Sequence, residues 1–130
     1  MKARFFNPRS IAAPFMNRYK HAVELPADAT LLFTSGQVGE RPDGTTPTDF
    51  AEQVEAVFFN LTEILKESKL RWSDVVKMQI YLVYGAADAA QLRPIRDRVM
   101  EGHVCASTLV YVPALAKPEW QVEIEIVAAG

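Results

Sequence analysis

Residues Val104 to Ala128 read VCASTLVYVPALAKPEWQVEIEIVA, two strands joined by a proline-bearing loop. The second strand alternates. Val122, Ile124 and Ile126 share one face, and Glu123 and Glu125 share the other. Alternate residues of a strand point to opposite sides of a sheet. One face is therefore apolar enough to take a layer of helices. The other presents two carboxylates in a row and needs water, a partner subunit or a ligand pocket.

Upstream, Asp74 to Val83 (DVVKMQIYLV) repeats the pattern. Val76, Met78, Ile80 and Leu82 share an apolar face. Val75, Lys77, Gln79, Tyr81 and Val83 form a mixed one. A helix is expected from Thr48 as N-cap to about Glu67–Lys69, because Phe50, Val54, Val57, Phe58, Leu61, Ile64 and Leu65 recur every three or four residues. Asp49 and Glu52 suit the positive end of its dipole, and Phe58-Phe59 reads as core. A second helix falls within Gly85 to Gly102, with Leu92, Ile95, Val99 and Met100 inward. Pro94 disfavours a helix interior, so this helix should start late or kink.

Before the first helix, residues 1–18 read as an irregular lead-in. Tyr19 to Leu25 and Thr30 to Ser35 read as strands, paired as a hairpin across Pro26-Ala27-Asp28. Gly36-Gln37-Val38-Gly39 lacks phosphate-loop spacing and reads as a plain loop. The order strand, strand, helix, strand, helix, strand, strand implies one α+β domain over residues 1–130. It should be a two-layer sandwich with both helices on one face of a mixed sheet. The uncovered face is expected either to associate with further copies or to stand in water.

Composition excludes several classes. The chain is 49% hydrophobic and 23% charged, which fits a globular core rather than disorder. A net charge of −2 without a basic stripe does not favour a nucleic-acid partner. No apolar run reaches membrane-spanning length, and the N-terminus is too short and polar for a secretory signal. A single Cys105 gives no internal disulfide and no zinc spacing. A cytoplasmic protein without a zinc site is expected. His103 and Cys105 invite a nucleophile reading, against which stands a small buried cysteine. His21 reads as structural or as a cleft rim, and Trp72 and Trp120 as packing residues.

Several motifs together resemble the YjgF-type family, also called RidA or L-PSP proteins. They are Tyr19-Lys20-His21-Ala22-Val23, Leu32 to Val38 (LFTSGQV), Asp49-Phe50 with Gln53, Asn60-Leu61, Asp74-Val75-Val76-Lys77 and Val122-Glu123-Ile124-Glu125. The resemblance implies a chorismate-mutase-like fold, a homotrimer and small-molecule clefts between subunits. It also implies cofactor-free hydrolysis of enamines or imines such as 2-aminoacrylate. By the same resemblance Glu123 is the catalytic glutamate, Tyr19 the pocket tyrosine and Gly36 the strand-end glycine. The family arginine, from Pro-Ala-Arg-Ser/Thr, falls on Ala106 beside Ser107, and the helix asparagine falls near Arg93. The loop Pro113 to Gln121 is about two residues longer than the family's. Ala106 cannot clamp a carboxylate, which leaves three readings. Arg93 replaces the clamp, or stays a solvated charge like Arg96 and Arg98. The chain belongs to an arginine-lacking branch with other chemistry or mere binding. Or it is a non-catalytic interaction protein, near the family's endoribonuclease and translation-inhibitor labels.

Overall fold

The computed structural model describes residues 2–130. Its strands are β1 (Arg4–Phe6), β2 (Ala22–Glu24), β3 (Leu31–Phe33), β4 (Gln37–Val38), β5 (Val75–Val83), β6 (Ala106–Val112) and β7 (Val122–Ala129). Its helices are α1 (Phe50–Glu67) and α2 (Ala89–Val99), with 3₁₀ turns at Phe15–Asn17 and Trp72–Asp74. The main sheet runs β3-β7-β5-β6, and β4 continues the β3 side against β7. β5 and β6 are parallel, joined by the α2 crossover, while β7 is antiparallel to β3, β4 and β5. The α+β sandwich with a mixed sheet expected from the sequence is thus the fold.

The alternation decides which face is covered. Met78, Ile80 and Leu82 of β5 and Val122, Ile124 and Ile126 of β7 are buried with Val54, Val57, Phe58, Leu61 and Leu65 of α1 and Leu92 of α2. The other face carries Lys77, Gln79, Tyr81, Glu123 and Glu125, all half-buried. Helix α1 starts one residue later than expected. Asp49, not Thr48, is the N-cap, and its carboxylate accepts from Glu52 N at 3.1 Å. Phe58 is core, but Phe59 points outward and is exposed.

Several expectations need correction. Gly36-Gln37-Val38-Gly39 is not a plain loop, because Gln37–Val38 forms β4 and pairs with β7. The hairpin of Tyr19–Leu25 with Thr30–Ser35 does not form. β2 pairs antiparallel with β1, and β3 pairs with the far end of β7. The short turn at Pro26 carries the chain from one sheet to the other. The lead-in is not wholly irregular, because β1 closes on β2 through the Arg4–Glu24 ion pair at 2.6 Å. Helix α2 starts late, at Ala89, capped by Asp88 accepting from Ala90 N at 2.9 Å, yet Pro94 still lies inside it. Pro94 is exposed and leaves the Ala90 carbonyl without its helical donor. Among the described residues no helix is long and apolar enough to cross a membrane.

Candidate functional site

The six residues singled out from the sequence fall into two groups. Gly36 and Glu123 belong to the open face of the sheet. Gln37 pairs with Ile124 and Val38 with Glu123, so the β3–β4 break at Ser35-Gly36 lies beside the glutamate. A Cβ on Gly36 would overlap Glu123 Oε2 and lie 2.7 Å from its Cδ. Only a glycine lets the carboxylate rest on this backbone. Glu123 has no ion-pair or hydrogen-bond partner among the described residues. Its neighbour Glu125 accepts from the Tyr81 hydroxyl at 3.3 Å. Burial and the two carboxylates raise the Tyr81 pKa, so that phenol stays protonated.

Tyr19, Arg93, Ala106 and Ser107 gather at the opposite edge, where β6 has no further strand beyond a single bridge from Lys20 to Ala106. Tyr19, Ala106 and Ser107 line one recess with His21 and Lys77. Tyr19, Arg93 and Ser107 line a cavity of about 360 Å³ between α2 and β6, with Phe15, Arg18, Leu92, Arg96, Leu109 and Tyr111. The Tyr19 hydroxyl accepts from Phe15 N at 3.3 Å, and its ring meets His21 edge-on at 5.7 Å. The ring of His21 bonds the Ala12 carbonyl at 2.7 Å, a structural tie that steadies the loop under Tyr19.

The two groups do not meet on one chain. Glu123 pairs with Tyr81, and Tyr81 with Val110, four residues from Ala106. Two strand steps of ~4.8 Å and four residues of ~3.3 Å set their backbones roughly 16 Å apart. No small ligand spans both from a single molecule.

The sequence places Arg96 among the solvated charges of α2, and the structure differs. It is buried, while Arg93 is half-buried and Arg98 is exposed and paired with Glu55. Burial lowers the Arg96 pKa from the usual arginine value, partly opposed by Cys105. Arg18 pairs bidentately with Asp97 at 2.9 and 3.2 Å. Neither Arg18 nor Arg96 was read as a site residue. The signal for Arg96 was its spacing, since Leu92, Arg96 and Met100 form one i, i+4 stripe and its outer two members are core.

Cys105 is fully buried, and burial pushes its thiol up to about 11. It holds almost no thiolate at neutral pH, which removes the nucleophile reading. A disulfide reagent at neutral pH should leave Cys105 unmodified in the native protein and label it in denaturant; prompt native labelling would contradict the burial. The sign of the pH effect follows. The unfolded thiol ionises near 9.0 while the folded one waits until about 11. This contribution to stability is therefore present below 9 and is lost as pH rises through that window.

Among the described residues no group of three or more His, Cys, Asp or Glu could hold a metal ion. Comparison with known proteins adds the following. The family model described as endoribonuclease L-PSP matches residues 10–130. The RutC family protein YjgH of Escherichia coli (strain K12) is 40% identical over 60 residues, 46% of this chain and 44% of that protein. A RutC family protein of Aquifex aeolicus (strain VF5) is 40% identical over 65 residues, 49% and 50% of the two chains. The chain thus spans about half the length of these curated relatives. A crystal structure of a protein of unknown function of the conserved Rid protein family, YyfB from Yersinia pestis, superposes with a TM-score of 0.86 at 30% identity, covering 100% of both chains. RidA from an Antarctic Psychrobacter bacterium gives 0.70 at 29% identity, covering 90% of this chain and 92% of that one.

Proposed function

The chain belongs to the endoribonuclease L-PSP family, the RidA/YjgF group, and from that premise we propose that it binds and hydrolyses a small enamine- or imine-type metabolite in clefts between neighbouring copies. The observation that carries the reading is Glu123. It is an unpaired carboxylate laid against the Gly36 backbone on the sheet face that no helix covers. The separation of Glu123 from Tyr19 and Ser107 supports a composite cleft, in which one copy supplies the glutamate and the next supplies the edge of β6. We take the assembly to be a trimer, as the resemblance implies, and its compartment to be the cytoplasm.

The chemistry asks little of the protein. Glu123 accepts a proton from water as the water oxygen adds to the imine carbon and passes it to the imine nitrogen, giving a neutral carbinolamine. It then takes the hydroxyl proton as the C=O bond forms and hands it to the departing nitrogen, which leaves as ammonia, so Glu123 ends as the carboxylate it began as. An imine and water become a carbonyl compound and ammonia, with no electrons to supply. Ala106 offers no seat for a carboxylate on the open-face side of β6, so 2-aminoacrylate itself is expected to be a poor substrate. Ala106 also favours one alternative, a cleft that binds without turnover. The endoribonuclease label finds no support in the net charge of −2.

The test is release of ammonia and keto acid from enzymatically generated 2-aminoacrylate. The native protein should exceed buffer modestly, and Ala106→Arg should raise the rate by about tenfold through a restored bidentate clamp. Silence from both would remove the deaminase reading for 2-aminoacrylate and leave the binder.

A further inference from the structure

The cavity between α2 and β6 is lined by a buried charge, Arg96, that makes no ion pair among the described residues. Arg96 is 7% exposed. Its hydrogen bond among the described residues is from Nη2 to the Arg18 carbonyl, at 3.2 Å. A guanidinium has five N–H donors in a planar fork. Asp97, next in sequence, is held by Arg18, and Glu55 by Arg98. Among the described residues the buried side-chain atoms left without a partner are Trp120 Nε1 and Gln121 Oε1, so the remaining Arg96 donors are solvent-accessible, and Arg96 lines the cavity. A cation taken this far from water is disfavoured unless an anion meets it.

The cavity walls describe that anion. Ser107, Leu109 and Tyr111 alternate with Ala106 and Thr108 along β6 and face the helix side, so this seat lies across the strand from Ala106. The hydroxyls of Tyr19 and Ser107 and the half-buried Arg93 surround the same space, and Phe15, Leu92, Leu109 and Tyr111 supply apolar wall. A volume of about 360 Å³ sits near the low end of ligand pockets, roughly 300–1,000 Å³. One unmatched positive charge in a mainly apolar chamber matches one negative charge on an apolar body.

The geometry points to an anion seat, in which the fork of Arg96 takes the carboxylate of a small monocarboxylic acid whose aryl or branched body lies against Leu109 and Tyr111. The seat lies on the helix side of β6, across the strand from the open face that carries Glu123, so it stands apart from the proposed hydrolytic cleft and does not rest on that reading.

Calorimetric titration with phenylacetate, acetate and benzyl alcohol tests it. Phenylacetate should bind, with acetate and benzyl alcohol each at least ~10-fold weaker, because each lacks one half of the match. Arg96→Met should cost roughly 10- to 100-fold, and Arg96→Lys less. Because Arg96 is buried and its loss could disturb folding, Leu109→Glu is the second variant. A carboxylate on the exposed wall should abolish phenylacetate binding, whereas Leu109→Gln should keep it. Equal affinity in these two Leu109 variants, or benzyl alcohol binding as well as phenylacetate, would overturn the seat. Binding that strengthens in Ala106→Arg would also overturn it, by placing the acid on the other side of β6. The two readings fail separately. Phenylacetate binding without ammonia release from any imine keeps the seat and removes hydrolysis; ammonia release without phenylacetate binding does the reverse.

Discussion

Glu123→Gln is expected to lower imine hydrolysis by about 100-fold or more, the usual loss when a positioned general base is neutralised. The fold should survive the change. Glu123 is half-buried on the open face, makes no hydrogen bond among the described residues, and glutamine keeps its shape. Melting temperature should therefore stay close to native while the rate falls. Gly36→Ala should reproduce the loss by another route, because its methyl group would occupy the space of the Glu123 carboxylate. A Glu123→Gln protein as fast as native would mean that this carboxylate is not the base and that the site has been misplaced.

The second large effect is on stability. Gln53 is fully buried in α1, and its amide serves three backbone groups. Its Nε2 donates to the carbonyls of Pro47 and Glu119, both at 2.8 Å, and its Oε1 accepts from Gln121 N at 2.9 Å. Gly39 packs on the same side chain, where a Cβ would come within 2.7 Å of Gln53 Cβ. One side chain thus ties the loop before α1 to the loop before β7. Gln53→Ala removes all three bonds and strands their partners, at about 1–3 kcal/mol for each group left buried. A net loss of about 3 kcal/mol in urea denaturation is expected, together with slower turnover, because Gln121 immediately precedes the β7 residues that set Glu123. A loss below ~1 kcal/mol would mean that water replaces the amide and that the clamp is dispensable.

What was legible in the sequence follows from which physics is local. The alternation in Lys77–Val83 and Val122–Ala128 identified both central strands and their covered face, because burial on one side leaves a period of two; at Val75 the expectation fails, since an irregularity between Val75 and Lys77 puts Val75 in the core rather than on the mixed face. The α1 stripe fixed that helix to within a residue or so, and capping chemistry misplaced its start only by choosing Thr48 over Asp49. Pairing was not legible. A turn at Pro26 looks the same whether it closes a hairpin or passes the chain to another sheet, and only the free edge of β7 decides where Leu31–Phe33 docks. β1 is three residues long and leaves no periodic trace.

The site was legible in the same uneven way. The resemblance named Glu123 and Gly36, and the structure puts them in contact. It named Tyr19 and Ser107, which share a cavity with Arg93. It flagged Ala106 as a position without the family's charge. Arg96 escaped because an arginine on a polar helix reads as solvated unless its place in the Leu92–Met100 stripe is weighed. The distance between the two halves of the site belongs to sheet order, which pattern alone does not supply.

The composite cleft needs neighbouring copies, and the mass in solution shows whether they are present. Light scattering at micromolar concentration should give three chain masses for the native protein, so that each Glu123 can face the β6 edge of a neighbour. A single chain mass under those conditions would contradict the account, because one molecule keeps Glu123 and Ala106 roughly 16 Å apart by strand geometry and cannot close the site alone.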